Sequence, residues 1–174
     1  PFDFGGPEGG WGPSAWKQLT TLLVRVETQS GLVGWGEAFG YSCADAVRHV
    51  IEQLVTPALI GRDAADIAGI SRHLQQSLHL FGRYGITMFA ISGIDIALWD
   101  IAGKAAGRPL NHLLGGATRD SIPAYSSLFR YSDPELVAAK CASSIAEGFA
   151  AVKLHEITEE AVAAARHSLG DGVP

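Results

Sequence analysis

Cysteine and positive charge are both scarce in this 174-residue chain, and each shortage closes off a class of function. Cys43 and Cys141 are the two cysteines, with no CxxC pair and no Cys/His cluster at zinc spacing. Neither a disulfide scaffold nor a structural zinc site is therefore expected, and reduced thiols suit a cytoplasmic location. Lys and Arg number 13 against 18 Asp and Glu, a net charge of −5. That balance offers no basic groove for nucleic acid and no polybasic patch for a membrane surface, so neither partner is expected. Long apolar runs are missing too, apart from "MFAISGIDIALWDIAG". It carries Asp95 and Asp100, and so reads as a buried helix rather than a membrane span. No internal repeat or low-complexity tract appears.

What is present is a chain that is 47% hydrophobic and 18% charged, enough to bury a core in one domain and a fraction of another. The opening segment "PFDFGGPEGGWGPS" sets Phe2, Phe4 and Trp11 among glycine and proline, the texture of a loop or lid with large apolar contacts to offer. It has no initiator methionine, and the chain closes at "SLGDGVP", where another strand is due. A piece of a longer polypeptide is expected.

Between these ends three patterns follow one another. "LTTLLVRVETQSGLVGWGEA" alternates around a polar turn at Gln29-Ser30-Gly31 and predicts a β-hairpin. From Ala44 the spacing is helical: Val47, Val50, Ile51, Leu54 and Val55 form one stripe that Pro57 should end. A second helix is predicted from about Asp63, carrying Ile67, Ile70, Leu74 and Leu78, and a third, nearly apolar all round, from Tyr84 to Ala106. After residue 120 the rhythm becomes β-α-β-α. "SIPAYSS" and "AAVKLH" are the strands. The first helix opens on a capping box of Ser132 and Glu135 and stops at Gly148; the second runs from Glu159 to Ser168 and closes at Gly170. Such alternation belongs to a parallel sheet or a (β/α) barrel, which needs more strands than two.

Two positions stand out chemically. Lys153 and His155 lie two apart in a strand, so they share a face at its end, where barrel sites are built. A solvated strand end is the plain alternative. Tyr125, Ser126 and Ser127 end the other strand, and one of them is expected to touch substrate. Asp95 and Asp100, five apart on a helix, diverge and are not expected to share a metal. The histidines at 49, 73, 79, 112 and 167 show no ligand spacing.

The segment "AISGIDIALWDIAGKAAGRPLNHLLGG", residues 90 to 116, resembles the signature of the mandelate racemase and muconate lactonizing enzyme branch of the enolase superfamily. The match runs through Ala90, Ser92, Gly93, Asp95, Ala97, Asp100, Gly103, Lys104, Pro109, Leu110 and Leu113-Leu114-Gly115-Gly116. The signature itself reads as structural, with Asp100 and Lys104 a favourable i,i+4 pair. The resemblance implies an α+β capping domain over 1–115, its first strand missing, followed by the first two βα units of a TIM-type barrel over 116–174. It also implies Mg²⁺, held by three carboxylates on later strands beyond residue 174, and removal of the proton α to the carboxylate of a small acid. In the family the second barrel strand ends Lys-x-Lys, where the first lysine contacts the substrate carboxylate and the second is a base. Here the place reads Lys153-Leu154-His155, which assigns His155 as the base.

By the same resemblance Phe4, Trp11, Phe39 and Tyr41 lie in loops that reach over the barrel mouth and shape specificity, with Tyr125 and Ser127 below them. Dehydration of a sugar acid or hydroxy acid is the expected reaction, with racemization or cycloisomerization as alternatives. A non-catalytic fragment serving packing or oligomer contacts is the other class of function, and a homo-oligomer is expected.

Overall fold

The computed structural model describes residues 20–40, 43–116 and 118–174. The expected lid with Phe4 and Trp11, and Tyr41 in the second loop, lie outside these residues. The described chain divides into two compact units, over 20–118 and 119–174.

In the first unit, β1 (Leu22–Glu27) and β2 (Val33–Ala38) form the antiparallel hairpin, with Leu22 opposite Ala38 and Glu27 opposite Val33. The turn needs a left-handed residue, and Gly31 supplies it with φ of 85°. Thr28 closes the loop: its N–H donates to the Leu32 carbonyl at 2.9 Å, and its Oγ1 accepts from the Leu32 N–H at 3.1 Å. Alternation along β1 turns Leu22, Val24 and Val26 toward the helical core and leaves Leu23 exposed.

The first helical stretch departs from expectation at Pro57. The chain runs as α1 (Ala44–Val50), one π-helical turn (Ile51–Val55) and α2 (Thr56–Leu59) without a break. The Thr56 N–H reaches back five residues to the Ile51 carbonyl, whereas that of Ile60 reaches four, to Thr56. Pro57 sits in the first turn after this change of ladder, where a missing N–H costs nothing. The wide turn also explains a pair of burials. Val47 and Val55, eight positions apart, would diverge by about 80° on a regular helix; the extra residue brings both onto the stripe that is fully buried.

α3 begins at Ile67, later than Asp63, because Asp66 is its cap and accepts from the Gly69 N–H at 3.0 Å. α4 (Ile86–Ala106) ends where Gly107 turns left-handed, at φ of 60°. It is long and apolar enough to cross a membrane by composition. Here it is the core helix of the unit, burying Ala90, Ile91, Ile94, Ala97, Leu98 and Ile101 among the hairpin and the other helices. A short helix α5 (Leu110–Leu113) follows.

Glycine sets how close β2 and α4 come. A Cβ at Gly34 would fall inside the Ala97 carbonyl oxygen, and one at Gly36 inside that of Gly93. Conversely, a Cβ on Gly93 would stand 2.8 Å from that of Ala38 and 2.9 Å from Cγ2 of Val24. The polar groups at this contact are matched as well. Asp100 Oδ2 accepts from the Trp35 backbone N–H at 2.8 Å, and Lys104 Nζ donates to the Val33 carbonyl at 2.8 Å and to Asp100 at 2.6 Å. The expected Asp100–Lys104 pair is thus also a clamp on the strand.

The second unit is two βα units in sequence: β3 (Ser126–Ser127), α6 (Pro134–Ala146), β4 (Val152–Lys153) and α7 (Glu159–Leu169). β3 and β4 are parallel, with Ser126 beside Val152 and Ser127 beside Lys153. The ladder is shorter than the strands expected from sequence; Pro123 has no N–H to contribute to it. On the other edge of β4 the Val152 N–H donates to the Pro174 carbonyl at 3.1 Å, so the chain leaving α7 returns alongside β4. Val137 and Cys141 of α6 and Ala161 and Ala165 of α7 are buried together, with Leu128 and Val152 packed on them.

The cap of α6 is Asp133, not Ser132. Its carboxylate accepts from the N–H groups of Glu135 at 2.9 Å and Leu136 at 3.1 Å. Ser132 instead holds a left-handed φ of 61°, which removes it from the capping geometry.

Candidate active site at the ends of the parallel strands

The ladder register decides which side chains meet. Partners in a parallel pair point to the same face, and neighbours alternate. Ser126 points toward α6, where its Oγ lies 2.8 Å from the buried Ser144 hydroxyl. Val152, beside it, joins the core under the helices. Ser127 and Lys153 therefore stand on the opposite face, and so do Tyr125 and His155 two residues along. Of the three residues ending the first strand, the register thus turns Tyr125 and Ser127 toward the face of Lys153 and turns Ser126 away.

On that face Lys153 Nζ lies 3.1 Å from Nε2 of His155. The other ring nitrogen, Nδ1, is 2.5 Å from the carbonyl oxygen of Leu128. An ammonium only donates and a carbonyl only accepts. These partners together define the imidazole tautomer: Nδ1 carries the proton and donates to Leu128, and Nε2 accepts from Lys153.

The loops leaving the strands are stitched together around this ring. The Leu128 N–H donates to the Lys153 carbonyl at 3.0 Å, continuing the ladder. Arg130 Nε donates to the His155 carbonyl at 2.9 Å. The Glu156 carboxylate accepts from the Tyr131 N–H at 2.6 Å and the Ser132 N–H at 3.1 Å. Sequence reading passed over Arg130, Glu156 and the Leu128 carbonyl. Glu156 follows His155 directly, and a carboxylate beside a candidate base was the one available signal. Beneath the strands, burial and then the Glu156 charge push the Cys141 thiol up, so it is an unreactive core group. In the first unit, burial pushes the Asp95 carboxyl up as well.

Among the described residues no group of three or more His, Cys, Asp or Glu comes together as a metal site. The described residues therefore do not form a magnesium centre by themselves.

An α+β unit followed by two parallel βα units, with proton-handling side chains at the strand ends, is the architecture of the N-terminal part of an enolase-superfamily protein. The model of the mandelate racemase / muconate lactonizing enzyme N-terminal domain matches residues 14–115, and the chain belongs to that family. It is 39% identical over 115 residues to an arabinonate dehydratase of Saccharolobus solfataricus, covering 66% of this chain and 31% of that protein. It is 37% identical over 158 residues to a D-galactarolactone cycloisomerase of Agrobacterium fabrum, covering 86% of this chain and 41% of that protein. The crystal structure of an enolase-superfamily member from Polaromonas superimposes with a TM-score of 0.80 at 39% identity, over 88% of this chain and 43% of that one. The chain thus spans less than half the length of these relatives. They connect it to lyases and isomerases of the superfamily.

Proposed function

We propose that this chain is the N-terminal part of a magnesium-dependent enzyme that removes the proton α to a carboxylate, with dehydration of a sugar acid or hydroxy acid as its reaction. The observation that carries the reading is the Lys153–His155 contact at 3.1 Å on one face of the parallel strands. Relatives named arabinonate dehydratase and D-galactonate dehydratase support the substrate class. The magnesium rests on the family resemblance alone, since the described residues do not form its site.

The two side chains divide the work. Without substrate, the Lys153 ammonium donates to the lone pair on His155 Nε2. An arriving carboxylate competes for that ammonium with a full negative charge, the stronger acceptor. Once Lys153 turns to it, Nε2 can accept the α-proton and the ring becomes imidazolium. Nδ1–H remains bonded to the Leu128 carbonyl throughout, so the ring does not have to reorient as it charges. Tyr125 and Ser127, on the same face, are proposed to contact the substrate's hydroxyl groups, and Phe4, Trp11 and Tyr41 to shape its pocket.

Cycloisomerization is the second reading, favoured by the Agrobacterium relative whose match covers 86% of this chain. The proposal takes residues 1–115 as the cap and 116–174 as the start of the barrel, in a cytoplasmic homo-oligomer acting on a small carboxylate without nucleic-acid or membrane partners. The test is exchange of the substrate's α-proton with deuterated solvent by the whole enzyme. His155→Asn should slow exchange and turnover about 10²–10⁴-fold, the scale of a general base. Exchange as fast as in the parent would remove His155 from the role.

A further inference from the structure

We infer that Glu156 is a positioning residue: by gripping the backbone of the loop after β3, it holds the Leu128 carbonyl against His155 and so fixes which ring nitrogen carries the proton. The Leu128 carbonyl has no side chain to anchor it, and its place depends on the path of residues 128–132. The Leu128 N–H is tied to the Lys153 carbonyl at 3.0 Å, and two further contacts with the other strand set the path beyond it. Arg130 Nε donates to the His155 carbonyl at 2.9 Å, and Glu156 accepts from both Tyr131 at 2.6 Å and Ser132 at 3.1 Å. Bonds from backbone N–H groups to a carboxylate are the strong kind.

The loop carries a mark of being held. Ser132 sits at φ of 61°, a conformation that costs a residue with a side chain and persists only where its surroundings over-determine it. Its N–H is one of the two that Glu156 takes. The grip, the strained residue and the 2.5 Å bond at Nδ1 form one continuous path from Glu156 to the imidazole. A histidine released from the Leu128 carbonyl loses one of the two contacts that favour a proton on Nδ1, the other being the Lys153 ammonium at Nε2. Placed on Nε2, the proton would occupy the nitrogen that faces Lys153 and would block acceptance of another.

The consequence for catalysis rests on His155 being the base; the tautomer itself does not. Long-range proton–nitrogen correlation spectra of the histidine-labelled chain read the tautomer directly, with His155→Asn assigning the signal. The parent and Glu156→Gln, which keeps an acceptor oxygen for the two N–H groups, should show His155 as the Nδ1–H form. Glu156→Ala should lower the share of that form measurably, against the Lys153 contact that still favours it, while circular dichroism shows the fold intact. If Glu156→Ala does not fold, Glu156→Asp, one methylene too short for the grip, is measured in its place with the same expected fall. An unchanged share of the Nδ1–H form in the alanine or aspartate variant overturns the proposal, and so does a fall in the glutamine variant. None of these measurements uses substrate, so their failure is distinct from a failure of the proton-exchange test.

Discussion

Asp100 accepts a hydrogen bond from the backbone of Trp35, 65 positions away in sequence, with the same oxygen that pairs with Lys104. Both bonds favour the charged carboxylate. The Lys104 hydrogen bond first, then the Trp35 N–H, hold the Asp100 carboxyl below the usual carboxylate range. A depressed folded value adds stability above the unfolded pKa, about 3.9, and that stability is lost as pH falls through the folded value. Urea unfolding at stepped pH should therefore show the parent losing stability below about pH 4 more steeply than Asp100→Asn. At neutral pH, Asp100→Ala should cost about 1–2 kcal/mol.

Gly36→Ala should be severe, because the new methyl meets the Gly93 backbone rather than a movable side chain. A loss of about 2–4 kcal/mol is expected from overpacking. Gly61→Ala is the control: its φ of 82° strains a side chain, but nothing lies within 4 Å of the added carbon. Its expected cost is about 1 kcal/mol. Equal losses for the two variants would mean that the strand can move off the helix.

At the start of α6 the two adjacent polar residues should behave differently. Asp133→Ala removes the acceptor of two N–H groups and should cost about 1 kcal/mol in thermal unfolding. Ser132→Ala keeps that acceptor and should cost less than half as much. The reverse order would restore Ser132 as the cap.

Lys153→Ala in the whole enzyme should raise KM as well as lower kcat, since it removes the cation that is proposed to hold the substrate carboxylate. His155→Asn should act mainly on kcat. Steady-state kinetics on the two variants separate the roles. A Lys153 variant with unchanged KM would leave the lysine without its assigned task.

Period and punctuation in the sequence were enough to recover the hairpin, α4 and the βα alternation, because each is a local pattern repeated over many residues. The π-helical turn was not legible, since Pro57 looks the same whether it ends a helix or follows a change of ladder. Asp133 and Ser132 are both good caps, and only the backbone angle at 132 separates them. At the site, Lys153 and His155 could be paired by strand period alone. Tyr125 and Ser127 were named from the resemblance; which face they share with Lys153 is given by the register that sets Ser127 beside Lys153, 26 positions on. The Leu128 carbonyl had no signal at all: every residue has one, and only the fold selects which oxygen meets the imidazole.

The π-helical turn makes chain length locally adjustable. Between Ile51 and Val55 the helix holds one residue more than its rise requires, so deleting Gln53 can be absorbed by return to the ordinary ladder with Val55 still on its stripe. A one-residue deletion in the middle of α4 has no such outlet. It would turn everything beyond it by about 100°, carrying Ala97 away from Gly34 and Asp100 away from Trp35. Two helices of one unit thus differ in how far their lengths can drift, and the more apolar of them is the one that cannot change.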